Sequence, residues 1–190
     1  MAMESTILFS VLLILQFTAG HPNKPTPVEQ TTIAIPPTAQ TGLSNPQFAF
    51  HDEQIDAPEL ALVNSTSWEW WYYDIVGPDQ ISSFVLAFFS SLKSAYSLYP
   101  PGLESMNFRE IWGIFPNGTV FANVIAADET IITLDEDRSS GSWVGSGVSW
   151  VGNGDGGSYI ITFDSPEFGI KGTFSLKSVR ASFIISSFLH

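Results

Sequence analysis

The run Ser67-Trp68-Glu69-Trp70-Trp71-Tyr72-Tyr73-Asp74 constrains this chain more than any other stretch. Five of its eight residues are aromatic and two are acidic, and it holds three of the six tryptophans. Each ring offers a large apolar surface whose removal from water is favourable. Read as a strand, the run divides by strict alternation into two faces. Trp68, Trp70, Tyr72 and Asp74 share one face, and Glu69, Trp71 and Tyr73 share the other. A strand that is aromatic on both sides needs cover on both. One cover is a protein core, and the other is either more core or a ligand cavity. Glu69 lies among indoles, where a carboxylate needs a partner or a purpose.

The rest of the chain is short of charge and rich in apolar residues. It has 190 residues, of which 44% are hydrophobic and 14% charged, with a formal net charge of −12. That length suits one domain of ordinary size. No basic patch exists to meet phosphate, which argues against a nucleic-acid partner and against an anionic membrane surface. An uncharged, apolar small molecule is the compatible partner. The chain has no cysteine, so neither a disulfide framework nor a thiolate metal site is available. His21, His51 and His190 are far apart in the sequence, and no metal site is expected from them.

Organisation follows from composition. Residues 1–20 read as a secretory signal. An apolar stretch from Ile7 to Phe17 is followed by the small residues Thr18-Ala19-Gly20, although Glu4 is the only charge before it. The stretch is too short to span a bilayer, so the chain is expected to be secreted or lumenal, with no membrane contact after cleavage. Residues 21–56 are rich in Pro, Thr and Gln and read as an extended arm, whose Ile33-Ala34-Ile35 and Phe48-Ala49-Phe50 can pack on the domain. From residue 57 the pattern predicts strands near 68–76, 81–90, 108–115, 119–126, 130–134, 141–151, 158–164 and 168–177. Gly77-Pro78-Asp79, Pro100-Pro101-Gly102, Pro116-Asn117-Gly118 and Ser165-Pro166 punctuate them. Many short strands at even spacing predict an all-β antiparallel sandwich or barrel. Asn64-Ser65-Thr66 and Asn117-Gly118-Thr119 are sequons, so Asn64 and Asn117 are candidate glycan acceptors; Asn117-Gly118 is equally a hairpin turn.

The aromatic run, with Asn64 to Ser67 before it and Val76-Gly77-Pro78-Asp79 after it, resembles the signature of the hydroxyneurosporene synthase (carotenoid hydratase)-like proteins. Within that group the chain is most similar to the fungal Diels-Alderases. The resemblance resumes at Phe168-Gly169-Ile170-Lys171-Gly172-Thr173-Phe174-Ser175-Leu176-Lys177-Ser178 and covers roughly residues 57–179. It implies a lipocalin-like antiparallel β-barrel over 57–179, the first of two barrels in relatives about twice as long, with a hollow interior for an apolar guest. Residues 180–190 match nothing expected there and read as an aberrant or truncated tail. The implied activity is a cofactor-independent Diels-Alder cycloaddition, possible also in its hetero form, of a polyene or a tropolone-type intermediate in secondary metabolism. Alkene hydration, a non-catalytic carrier and an inactive fragment are the alternatives. Oligomeric state is left open.

Under that reading Glu69 is the catalytic candidate. Buried among rings, its carboxyl is expected to stay protonated and to donate a hydrogen bond to a polar end of the guest. The alternative is a structural carboxylate paired with Arg109. Trp71, Tyr73, Phe89 and Trp112 are the candidate cavity wall, each equally at home in a core. Asn107 and Arg109 alternate with Phe108, Glu110 and Trp112, so either polar residue can polarise a carbonyl or brace the strand. Asp74 reads as a strand-end acceptor. Asp135-Glu136-Asp137 lacks the spacing of a calcium loop and reads as a solvated turn.

Overall fold

The computed structural model describes residues 30–47, 56–153 and 156–177. The readings of residues 1–20 as a signal, of Phe48-Ala49-Phe50 as packing on the domain and of 180–190 as an aberrant tail lie outside these residues. Ten strands follow in order: β1 Thr31–Ile35, β2 Glu69–Val76, β3 Ser83–Ser90, β4 Asn107–Ile114, β5 Val120–Ala126, β6 Glu129–Asp135, β7 Arg138–Val144, β8 Val148–Asn153, β9 Ser158–Ser165 and β10 Ile170–Lys177. One short 3-10 turn, Pro166–Phe168, joins β9 to β10. The fold is all-β and entirely antiparallel. A four-stranded sheet runs β2-β3-β4-β5 and a six-stranded sheet runs β1-β6-β7-β8-β9-β10. The two wrap around a shared core in a barrel-like arrangement. The barrel is not closed, because no ladder joins the sheets among the described residues.

Two elements differ from the sequence pattern. The stretch 141–151 is not one strand: Gly145 and Gly147, at φ 82° and 71°, reverse the chain between β7 and β8. Left-handed backbone is nearly free for glycine and strained for other residues, which is why the turn falls there. Ile33-Ala34-Ile35, in the Pro-rich arm, belongs to β1 and pairs with β6 through Ile33↔Ile132 and Ile35↔Thr130.

The core is aromatic. Leu86, Phe88, Ile111, Ile132, Trp143, Trp150 and Ile161 are almost wholly buried between the sheets. Trp143 anchors the centre, its ring centroid 4.4 Å from Phe88 and 5.1 Å from Trp71, and its Nε1–H donates to the Phe89 carbonyl at 2.9 Å. Aromatic pairs of this kind contribute about 0.5–1.5 kcal/mol each beyond area burial. Gly141 makes room for Trp150 directly across β7 and β8; a methyl group there would come within 2.7 Å of Trp150 Cζ2.

Buried polar side chains tie the sheets together. Asn107 Nδ2 donates to the carbonyls of Ile35 and Pro36, at 2.8 and 3.0 Å, while its Oδ1 accepts from Ser90 Oγ. Arg109, fully buried, donates from Nε to the Ser146 carbonyl at 3.2 Å and from Nη1 to Asn123 Oδ1. Both residues therefore brace the structure, and Arg109 is turned toward the β7–β8 turn rather than toward Glu69.

Candidate functional site

Alternation along β2 places Glu69, Trp71 and Tyr73 on the inner face, as the sequence pattern predicts. Glu69 is 7% exposed. Its Oε2 accepts the Glu59 N–H at 3.1 Å, and its Oε1 has no protein partner. Burial pushes the carboxyl up to about 8; the N–H groups of Glu59 and Leu60 oppose the rise and the Glu59 charge adds to it. It is therefore largely protonated at neutral pH. The space beside it is a cavity of about 40 Å³ lined by Ile33, Ile35, Leu60 and Val63. That volume holds a water molecule or so, not a polyene.

Trp71 and Tyr73 are packed into the core. Trp71 meets Trp143 edge to face, and its Nε1–H donates to the Asp56 carbonyl at 3.0 Å. Tyr73 packs against Tyr159, Phe88 and Trp150 at centroid distances of 5.5, 6.3 and 6.5 Å. Burial and the nearby Asp56 carboxylate hold its phenol well above the ordinary range. Asp56 is itself a buried hub that accepts from Ser139 Oγ and, at 2.8 Å, from Tyr159 Oη; burial raises its pKa and the two hydrogen bonds oppose the rise.

Phe89 and Trp112 point the other way, onto the outer face of the four-stranded sheet. Phe89 stacks on Phe108 at 4.8 Å beneath Tyr96, which comes from the loop after β3. Trp112 is 40% exposed. Beside it Glu110 has little free surface but lies just under the covering loop, and burial pushes its carboxyl up to about 7. The outer face of β2 is only partly covered: Trp68 packs on Phe89 and Tyr96, whereas Trp70 and Tyr72 stay nearly half exposed. Asp74 is exposed on the same face.

The large opening lies elsewhere, at one end of the barrel. It has a volume of about 550 Å³ and runs between the ends of β2–β5 and the Pro166–Phe168 turn with β10. Ile75, Phe84, Phe121, Phe168, Ile170 and Phe174 supply most of its apolar wall. Ligand sites for small organic molecules fall in this size range and have this character. The cleft exists because Gly113 is the inward residue of β4 at this level and leaves space between Phe84 and Phe121, its partners on β3 and β5. Phe84 closes the inner end against Phe163 and Phe174, at 5.5 and 4.9 Å. Among the described residues Lys171 is the one charged residue at the edge of the cleft; it pairs across the ladder with Asp164 on the outer face, its Nζ 3.5 Å from Asp164 Oδ1. None of Glu69, Trp71, Tyr73, Phe89 and Trp112 lines this cleft. The missed signals are an inward glycine in β4 and the aromatics Phe168 and Phe174 flanking Gly169.

The remaining motifs carry no site. Asp135 and Arg138 close a tight hairpin whose Glu136 and Asp137 face water. Among the described residues no group of three His, Cys, Asp or Glu is placed to hold a metal, and no helix is long and apolar enough to cross a membrane.

Comparison with known proteins places this geometry among relatives. A family model described as Diels-Alderase-like matches residues 38–186. The quinolone epoxide rearrangement protein asqO of Emericella nidulans is 29% identical over 181 residues, covering 93% of this chain and 46% of the relative. The Diels-Alderase ffsF of Aspergillus flavipes is 31% identical over 87 residues, which are 46% of this chain and 20% of the relative. Crystal structures of CghA, with Sch210972 and alone, both superpose with a TM-score of 0.62 at 18% and 17% identity. They cover 78% and 79% of this chain and 39% of theirs. The chain thus spans less than half the length of the relatives it matches.

Proposed function

This chain belongs to the Diels-Alderase-like family, and from that premise we propose that it contributes the substrate cleft of a cofactor-independent pericyclic cyclase. The observation that carries this reading is the apolar end cleft of about 550 Å³. A Diels-Alder cycloaddition needs no nucleophile and no group transfer. It needs a flexible polyene folded so that diene and dienophile meet, and such preorientation alone can remove roughly 7–11 kcal/mol of barrier in well-aligned cases. Flat walls such as Phe84, Phe121 and Phe174 favour one folded form over its mirror arrangement, and so one stereoisomer.

Glu69 does not act as the alkene-protonating acid of a hydratase in this reading. It is protonated at neutral pH, but the cavity beside it is too small for an alkene chain.

The test is Gly113→Val. The first added carbon would meet only the Ser83 carbonyl at 3.6 Å and Phe84 at 3.8 Å, both ordinary contacts, so the cleft fills while the strand persists. A synthetic decatrienone that cyclises slowly in water is the probe. The wild-type chain should accelerate the cyclisation and bias its stereoisomer ratio, and Gly113→Val should return both to background. Equal behaviour of the two proteins would remove the cleft from the reaction.

We also propose that the chain passes through the secretory pathway and carries a glycan on Asn117. Asn117 is exposed at the β4–β5 turn, whereas the Asn64 amide already donates to the Gly42 carbonyl at 3.0 Å. Expression in a secreting fungal host should give a medium-borne protein whose endoglycosidase shift disappears in Asn117→Gln. Retention inside the cell without glycan would refute it.

A further inference from the structure

Resting on the cleft as the ligand site, we propose that it takes linear, apolar chains end-on and that Phe84 sets the longest chain it accepts. The strand register makes the cleft floor a single rung of the four-stranded sheet. Ile75, Phe84, Gly113 and Phe121 are direct partners across β2, β3, β4 and β5, and all four line the cleft. The next rung on the same face is Tyr73, Leu86, Ile111 and Asn123, and none of these reaches the cleft. Leu86 and Ile111 are fully buried there. Exposure thus falls from mouth to floor: Phe115 at the mouth is 53% exposed, whereas Phe163, set against Phe84, is 4% exposed. A chain that enters at the mouth lays its apolar end on this rung and keeps any polar end in water.

Phe84 is the member of the rung that decides the depth. Its ring reaches the opposite sheet, with the centroids of Phe163 and Phe174 at 5.5 and 4.9 Å. Those two rings meet each other edge to face at 5.5 Å, so the three together close the passage between the sheets. The partner of Phe84 on β4 is Gly113, which has no side chain to move into vacated space. Truncating Phe84 therefore opens room that adjoins the cleft instead of letting the wall collapse. Leu86 and Ile111 would become the new floor, one rung or about 7 Å deeper. At native packing density the volume of a phenyl ring matches roughly three methylenes.

The experiment displaces phenylnaphthylamine, a neutral dye that brightens in apolar surroundings, with straight-chain primary alcohols of increasing length. With the wild-type chain, affinity should rise about fourfold per added methylene and then level off at one length. In Phe84→Ala the short alcohols should bind as before, and the rise should continue for roughly three further carbons, so that the longest alcohols gain about tenfold or more. Phe84→Leu keeps most of the packing and should move the break by about one carbon; it decides the matter where Phe84→Ala does not fold. If the break stays at the same length in the folded variant while Gly113→Val weakens every alcohol, the ruler is refuted and the cleft stands. If Gly113→Val leaves all affinities unchanged, or no alcohol displaces dye from the wild-type chain, the cleft reading fails and the ruler fails with it.

Discussion

Glu69→Gln should stabilise the protein at neutral and alkaline pH, and by an amount that grows with pH. In the fold the Glu69 carboxyl titrates at about 8, against 4.5 for the free group. Between these values the native state holds a proton that the unfolded chain has released, so stability falls as pH rises. At about 1.4 kcal/mol per pH unit the full loss is on the order of 5 kcal/mol. That is a large share of the roughly 5–15 kcal/mol that holds a typical domain together. Glutamine keeps the shape, its carbonyl can still accept the Glu59 N–H, and its amide replaces the unpartnered Oε1 beside the small cavity. Urea unfolding followed by tryptophan emission at pH 4 through 9 gives the comparison. The two proteins should nearly coincide at pH 4. They should diverge steadily above pH 5 and stop diverging beyond pH 8, with midpoints then about 2.5 M apart for a slope of roughly 2 kcal/mol per molar urea. Glu110, pushed up to about 7, gives a slope of the same sign, but it is present in both proteins and drops out of the difference. A difference that is constant across pH would show that Glu69 is solvated and would refute the account of its burial.

Two further outcomes follow from the core. Trp71→Ala removes a ring set against Trp143 and a hydrogen bond to the Asp56 carbonyl, and it should destabilise by about 3 kcal/mol; unaltered stability with lost probe binding would instead make Trp71 a cavity wall. Gly141→Ala drives a methyl group into the rigid, fully buried Trp150 indole and should lower the urea midpoint by the equivalent of about 1–3 kcal/mol. A change within about 0.5 kcal/mol there would mean the β7–β8 pair has slack that the packing does not show.

Much of the fold was legible because alternation and turn chemistry are local. The grouping of residues by face in β2 and β4 falls as alternation dictates, but which face turns inward was not legible: Glu69, Trp71 and Tyr73 point inward, whereas Trp112, expected on the cavity wall beside them, points outward with Phe108 and Glu110. The break inside 141–151 was signalled by Gly145 and Gly147 but was masked by apolar neighbours on both sides. The pairing of Ile33 and Ile35 with β6, about a hundred residues away, is a tertiary fact with no local mark beyond three apolar residues among prolines. Glu69 was recognisable as a buried acid; that its partner is the backbone of Glu59 and not Arg109 depends on a loop whose path the sequence does not specify.

The position of the cleft was the least legible feature, for a physical reason. An aromatic run reports demand for burial, and the most efficient response to that demand is other rings, so Trp71 and Tyr73 end packed against the aromatic core rather than on the cleft wall. A cavity is a shortage of side-chain volume between backbones that other contacts hold apart. Its mark is a small residue at an inward position, flanked by large ones on both neighbouring strands. Gly113 between Phe84 and Phe121 meets that description, and so does Gly141 between Ile132 and Trp150, but there the Trp150 ring crosses over and fills the space. The two glycines sit in similar strand contexts and differ only in what lies across the ladder. Reading cavities from a sequence of this kind therefore requires the strand register and then the path of the facing ring: at Gly113 an added side chain would take ligand space, whereas at Gly141 it would collide with Trp150.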